Sequence, residues 1–115
     1  MNELLPRTRK FALRCLQVSD ALPCKPGAKA IASQLARSST SVAANYRAAK
    51  RARTKPEFCS KLNVGLEEAD ESHFWLGLIS EGGYLPDAKL VELVKEADEL
   101  TAILVASLKT ARRNR

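Results

Sequence analysis

Asp70, Glu71, Ser72 and His73 form the one run in this chain where a carboxylate and an imidazole stand three residues apart. On a helix that spacing puts both on one face, as in the carboxylate–histidine elements of di-iron bundles. Such sites need a second element of the same kind and carboxylates from two further helices. His73 is the only histidine, and the segment Arg37–Arg53 carries no acid, so neither a metal site nor a histidine-based triad is expected. Glu67, Glu68, Asp70 and Glu71 also offer paired carboxylates for acid–base work. Beside a segment dense in arginine, ion pairing is the simpler role. Cys59 lies near a helix start, where a thiol can be activated, but it has no histidine close in sequence and reads as a small core or boundary residue. Glycine-rich phosphate loops and Gly-x-Ser-x-Gly elbows are absent. No catalytic residue and no cofactor is expected.

The chemistry that the chain does offer is charge. Arg37–Arg53 reads RSSTSVAANYRAAKRAR and contains no aspartate or glutamate. At 100° per residue, Ile31, Leu35, Val42, Tyr46 and Ala49 share one helix face, and Arg37, Thr40, Ala44, Arg47 and Arg51 share the opposite one. One face can enter a core while the other presents a cationic ridge to an anionic partner. The net charge of +6 hides a sharper segregation. Residues 1–61 hold 13 Lys/Arg against three Asp/Glu, residues 62–100 hold two against ten, and residues 101–115 hold four against none. Oppositely charged segments can pair within or between subunits, and a basic segment can bind phosphate. Both can hold at once.

These residues need elements to position them, and 115 residues suffice for one domain with its own core. A hydrophobic fraction of 45% with 28% charged residues argues against wholesale disorder. No apolar run approaches the ~20 residues that span a bilayer, and the N-terminus lacks a secretory h-region. Cys15, Cys24 and Cys59 are odd in number and widely spaced, which suits free thiols in a reducing cytoplasm.

The apolar periodicity predicts four helices, at about 3–22, 28–52, 55–81 and 86–111, followed by a fraying basic tail over 112–115. Pro23-Cys24-Lys25-Pro26-Gly27 breaks the first from the second. Thr54-Lys55-Pro56-Glu57 is a capping-box signature for the third, and Gly82-Gly83 ends it. Pro86 stands near the first position of the fourth, where Leu90, Val94, Ala97, Leu100, Leu104, Leu108 and Ala111 line a heptad-like seam. Long helices with short loops favour an all-α, antiparallel up-down-up-down four-helix bundle.

The third helix buries Phe58, Leu62, Gly65, Leu66, Ala69, Leu76 and Ile79 on one side, with His73 packed near Leu66 and Ala69. Phe74 and Leu78 fall roughly opposite that stripe, and Val64, Glu68, Glu71 and Trp75 form a third stripe on its flank. A monomeric bundle has no need of apolar groups on three sides of one helix, so Phe74, Trp75 and Leu78, with Glu67 and Glu71, are expected at a subunit interface.

RSSTSVAANYRAAKRAR followed by EFCSKLNVGLEEADESHFWL resembles the bacterial four-helix bundle family named for the 23S rRNA intervening sequence. The resemblance covers roughly residues 10–110 and is specific over 37–75, with Arg37, Ser38, Ser41, Asn45, Tyr46, Glu57, Phe58, Glu68 and Glu71 as the matching motif residues. It implies a left-handed antiparallel bundle assembled into a homopentameric ring, and no established catalytic residues. Some members are encoded within insertions in ribosomal RNA genes. A more distant relative is the accessory protein of diversity-generating retroelements, a basic pentamer that binds a reverse transcriptase and nucleic acid. Asn45 faces the bundle and needs a partner, for which Glu68 or Glu71 is expected. The commoner branch of the family has a GluGly pair where this chain has Arg47 and Ala48, so the ridge here is the more basic.

Two functional readings follow. In the first, the protein is a non-catalytic oligomer that binds RNA or DNA backbone through Arg37, Arg47, Lys50, Arg51, Arg53 and Lys55, with Arg112 and Arg113 of the tail. Aromatic residues are only 5% of the chain, which argues against base stacking on single strands. In the second, the protein is an adaptor, for example an accessory subunit for a reverse transcriptase, whose basic and acidic helices pair between subunits. Neither involves a membrane.

Overall fold

Each break between helices is set by a residue whose backbone cannot continue a helix. Leu22 precedes Pro23 with ψ 148°, and Lys25 precedes Pro26 with φ −120° and ψ 150°, the extended geometry that a following proline ring imposes. Thr54 is extended as well, and its hydroxyl accepts from the Glu57 amide at 3.2 Å, satisfying one of the free donors of a helix start. Gly83 has φ 69°, the left-handed conformation that glycine adopts at little cost. Tyr84 folds back over Gly82 so closely that a Cβ there would meet its ring at 2.7 Å.

The result, seen in a computed structural model that describes residues 3–114, is four α-helices and one short 3₁₀ turn. The helices are α1 Leu4–Ala21, α2 Pro26–Lys50, α3 Lys55–Glu81 and α4 Val91–Arg113, with the 3₁₀ turn at Asp87–Lys89. Each packs antiparallel on the next in the chain, and α1 closes the ring against α4 through the thinnest of the four seams. The bundle is a rod of 48 × 21 × 21 Å. No described helix is long and apolar enough to cross a membrane.

Several boundaries depart from those that the periodicity predicts. The second helix starts at Pro26, because proline is itself well suited to a first turn. It ends at Lys50 and not near 52, since the chain must reach the extended Thr54 within a few residues. The fourth helix does not begin at 86. Pro86 is extended (ψ 140°), and the 3₁₀ turn that follows is held to the end of α3 by the Ser80 hydroxyl, which donates to Asp87 Oδ1 at 2.6 Å. Arg112 and Arg113 are not a frayed tail but the last turn of α4. Asn114 caps that helix, and Arg115 lies outside the described residues.

The core runs the length of the rod. Phe11 and Cys15 of α1, Leu35 and Val42 of α2, Leu62, Leu76 and Ile79 of α3, and Leu100 and Leu104 of α4 are each at most 1% exposed. Leu90, Leu93, Ala97, Leu100 and Leu104 alternate in steps of three and four, so Leu93 takes the seam position expected of Val94, which is only half-buried. Ser38, Ser39, Ser72 and Thr8 are buried too. Their hydroxyls are satisfied within or between helices: Thr8 donates to Leu4 O at 2.7 Å, Ser72 donates to Glu68 O at 2.9 Å, and Ser38 and Ser72 share a 2.9 Å bond across the α2–α3 seam.

Burial pushes the Cys15 thiol up from 9.0 to about 12, outweighing a hydrogen bond from Ser39 that lowers it. The folded state therefore holds this proton more tightly than the unfolded chain. The contribution to stability is complete below pH 9 and is lost as pH rises from 9 towards 12. Cys24 is exposed and Cys59 half-buried. Titration with a thiol-reactive chromophore at pH 8 is expected to label Cys24 quickly and Cys15 only on unfolding, with denaturation midpoints falling above pH 9. Labelling of Cys15 in the native protein as fast as Cys24 would contradict this packing.

Candidate nucleic-acid interface

Arg37, Thr40, Ala44, Arg47 and Arg51 are all exposed, as their common helix face requires. They do not, however, form one continuous cationic surface. The α2–α3 register sets Arg37 opposite Glu68 and Glu71, which stand one turn apart on α3. Its Nη1 donates to both Glu68 oxygens at 3.0 and 3.1 Å, its Nη2 donates to Glu71, and its Nε donates to Gln34 at 3.0 Å. The Glu71 carboxylate also accepts from Trp75 Nε1 at 3.0 Å. Hydrogen bonding to Glu68, then to Glu71, raises the Arg37 pKa further above its ordinary value, so the guanidinium stays charged and neutralised together.

Glu71 is thus engaged within its own chain, because the register supplies an arginine. The cluster also corrects one expectation. Asn45 bonds neither Glu68 nor Glu71. Its amide donates to Ser41 O and Ser41 Oγ, both at 2.9 Å one turn earlier on α2. Glu67 is exposed, with Asn63 Nδ2 3.5 Å away. Phe74 is 55% exposed and meets Trp75 edge-on, with centroids 5.0 Å apart at 72°. Trp75 and Leu78 are half-buried. His73 is half-buried on α3, one turn on from Ala69. It lines a cleft of 500 Å³ between α3 and α4 together with Ser80, Leu90, Val94 and Asp98. Among the described residues, no three metal-ligating side chains converge on a point.

The remaining predicted cations are brought together by topology. In an antiparallel bundle the last turn of α2, the first turns of α3 and the last turn of α4 lie at one end of the rod. Arg47 and Lys50 close α2, Arg51 and Arg53 form the connection, Lys55 opens α3, and Arg112 and Arg113 close α4. All seven are exposed. Among the described residues the ion pairs fall to Arg7 and Arg37, and none to these seven. Glu57 is the acid of this end within α3's first turn. Cations in the last turns of α2 and α4 also complement the negative end of each helix dipole.

Two features of the basic surface escape sequence reasoning. Arg9 of α1 faces Arg47 across a shallow groove of 250 Å³ floored by Leu5, Ala43 and Ala44. Its one signal is a place on the outer face of α1, which the pattern of charges alone does not relate to α2. Arg7, in contrast, is withdrawn from the surface. Its Nε and Nη2 donate to the two Glu96 oxygens at 2.7 Å each, and Nη2 donates to Glu99 at 3.0 Å, so it latches α1 to α4. A pair 89 residues apart leaves no local trace.

Fold and surface together define a small helical bundle with a group of exposed, unpaired cations at one end. Comparison with known proteins agrees on the fold. The chain belongs to the 23S rRNA-intervening sequence protein family, whose model matches residues 2–106. A crystal structure of a protein with unknown function from the S23 ribosomal protein family of Bacteroides thetaiotaomicron is similar over 91% of this chain and 97% of that one, at 28% identity and a TM-score of 0.84. No curated protein matches.

Proposed function

We propose that this protein is a non-catalytic nucleic-acid-binding bundle that grips phosphate backbone with its basic end. The observation that carries the reading is the gathering of Arg47, Lys50, Arg51, Arg53, Lys55, Arg112 and Arg113, exposed and without acidic partners, at one end of a rod whose other exposed arginine ridge member, Arg37, is neutralised. Uncompensated cations on rigid helix ends bind polyphosphate by releasing its condensed counterions, without reading sequence. Membership in a family named for a ribosomal RNA insertion supports the same class of partner. Polarisation measurements with labelled RNA or DNA are expected to give an affinity that falls steeply between 50 and 200 mM salt. Replacing Arg51 and Arg53 by glutamate is expected to weaken binding about tenfold or more, while Arg37→Ala leaves it nearly unchanged. Equal losses from both changes would remove the distinction between a paired and a binding arginine, and no loss from the first would remove the site.

A second element of the reading is self-association through the outer face of α3. Phe74 is an exposed aromatic packed edge-to-face against half-buried Trp75, the kind of anchor that interfaces favour. A protein-adaptor role would use the same face. Light scattering is expected to give a mass that is a multiple of 12.6 kDa, reduced by Phe74→Asp. A monomeric mass for the unaltered chain would refute self-association.

A further inference from the structure

We infer that the basic end is shaped for a double helix and not for a single strand. The inference rests on the nucleic-acid reading above and names the form of the ligand. Proteins that hold single strands set exposed aromatic rings along the path of the bases, each stacked base adding about 1–3 kcal/mol. No ring is offered at this end. Tyr46 is 6% and Phe11 1% exposed, and half-buried Phe58 packs against the core. Phe74 and Trp75 sit near the middle of the rod on α3, and Tyr84 at its far end over Gly82. A surface without rings contacts phosphate alone.

Phosphate-only binding favours the ligand of higher charge density. A duplex carries one charge per about 1.7 Å of axis, and its counterion release per contact exceeds that of a single strand. The layout of the cations fits two strands as well. They are spread over the end of the rod, on α2, the α2–α3 connection, the start of α3 and the end of α4, and α2 and α4 stand diagonally in the bundle. With neighbouring axes 8–10 Å apart, the diagonal is roughly 11–14 Å. The wide groove of B-form DNA is about 12 Å across, with a phosphate row on each rim, and A-form RNA likewise presents one wide groove. Cations spread over an end of that width can meet both rims at once, whereas a single strand follows a line and meets fewer of them.

Polarisation titrations of the full chain at 50 mM salt, with a 20-base-pair RNA duplex, a DNA duplex of the same sequence and each single strand, test this. The expected result is an affinity for at least one duplex about tenfold above its single strands, with a salt dependence about 1.3-fold steeper. Single strands bound as tightly as either duplex would overturn the inference while leaving the nucleic-acid reading intact. Binding to none of the four would overturn both.

Discussion

Between α2 and α3 the helices meet over small side chains. Ser38 and Ser72 share a hydrogen bond at the centre of the seam, Val42 and Ala69 are fully buried, and Gly65 lies beneath Asn45. Groups this small let two helix axes approach closely, and the approach brings Arg37 of the basic helix within hydrogen-bond reach of Glu68 and Glu71 of the acidic one. Much follows from that contact. Arg37 is neutralised, Trp75 is oriented through Glu71, and the ridge keeps its uncompensated charge only towards the end of the rod. The contact is nearly half exposed on the arginine side, so its contribution to stability is small, at most about 1 kcal/mol. Its effect is on where positive charge remains available.

Stability comes from elsewhere. The leucines and isoleucine of the core are almost without exposure, and the hydroxyls of Thr8, Ser38 and Ser72 among them are bonded within the bundle. The α1–α4 seam, the thinnest of the four, is held at its surface by Arg7 against Glu96 and Glu99. Arg7 and Arg37 thus do the same job on opposite sides of the molecule. Each draws a cation out of a basic segment to join it to an acidic one. The segregation of charge along the chain serves the fold in these two places and leaves the basic end unpaired.

Much of this was legible in the residues. Proline and glycine at 23, 26, 82 and 83, and the Thr54 cap, mark four of the helix ends because their backbone preferences are local. Pro86 misleads because proline suits both a first helical turn and an extended segment, and the choice depends on Ser80 holding Asp87. Apolar periodicity passes over Ser38 and Ser72, which are buried by virtue of their size and not their hydrophobicity. The ridge was legible as a helix face, but its division into paired and unpaired halves depends on the register of α2 against α3. The basic end is visible only once three elements far apart in sequence are folded together, and Arg9 joins them only through the α1–α2 groove. The family resemblance rested on residues 37–75, and family membership extends over 2–106.

The central claim is that the end of the rod, and not the length of α2, is the binding surface. Backbone amide chemical shifts, followed while a 20-base-pair duplex is titrated into labelled protein, test it directly. The account predicts perturbations concentrated in residues 47–61 and 109–114, with residues 31–38 and 68–75 little changed. Perturbations centred on Arg37, Glu68 and Glu71, with the end of the rod unaffected, would contradict it.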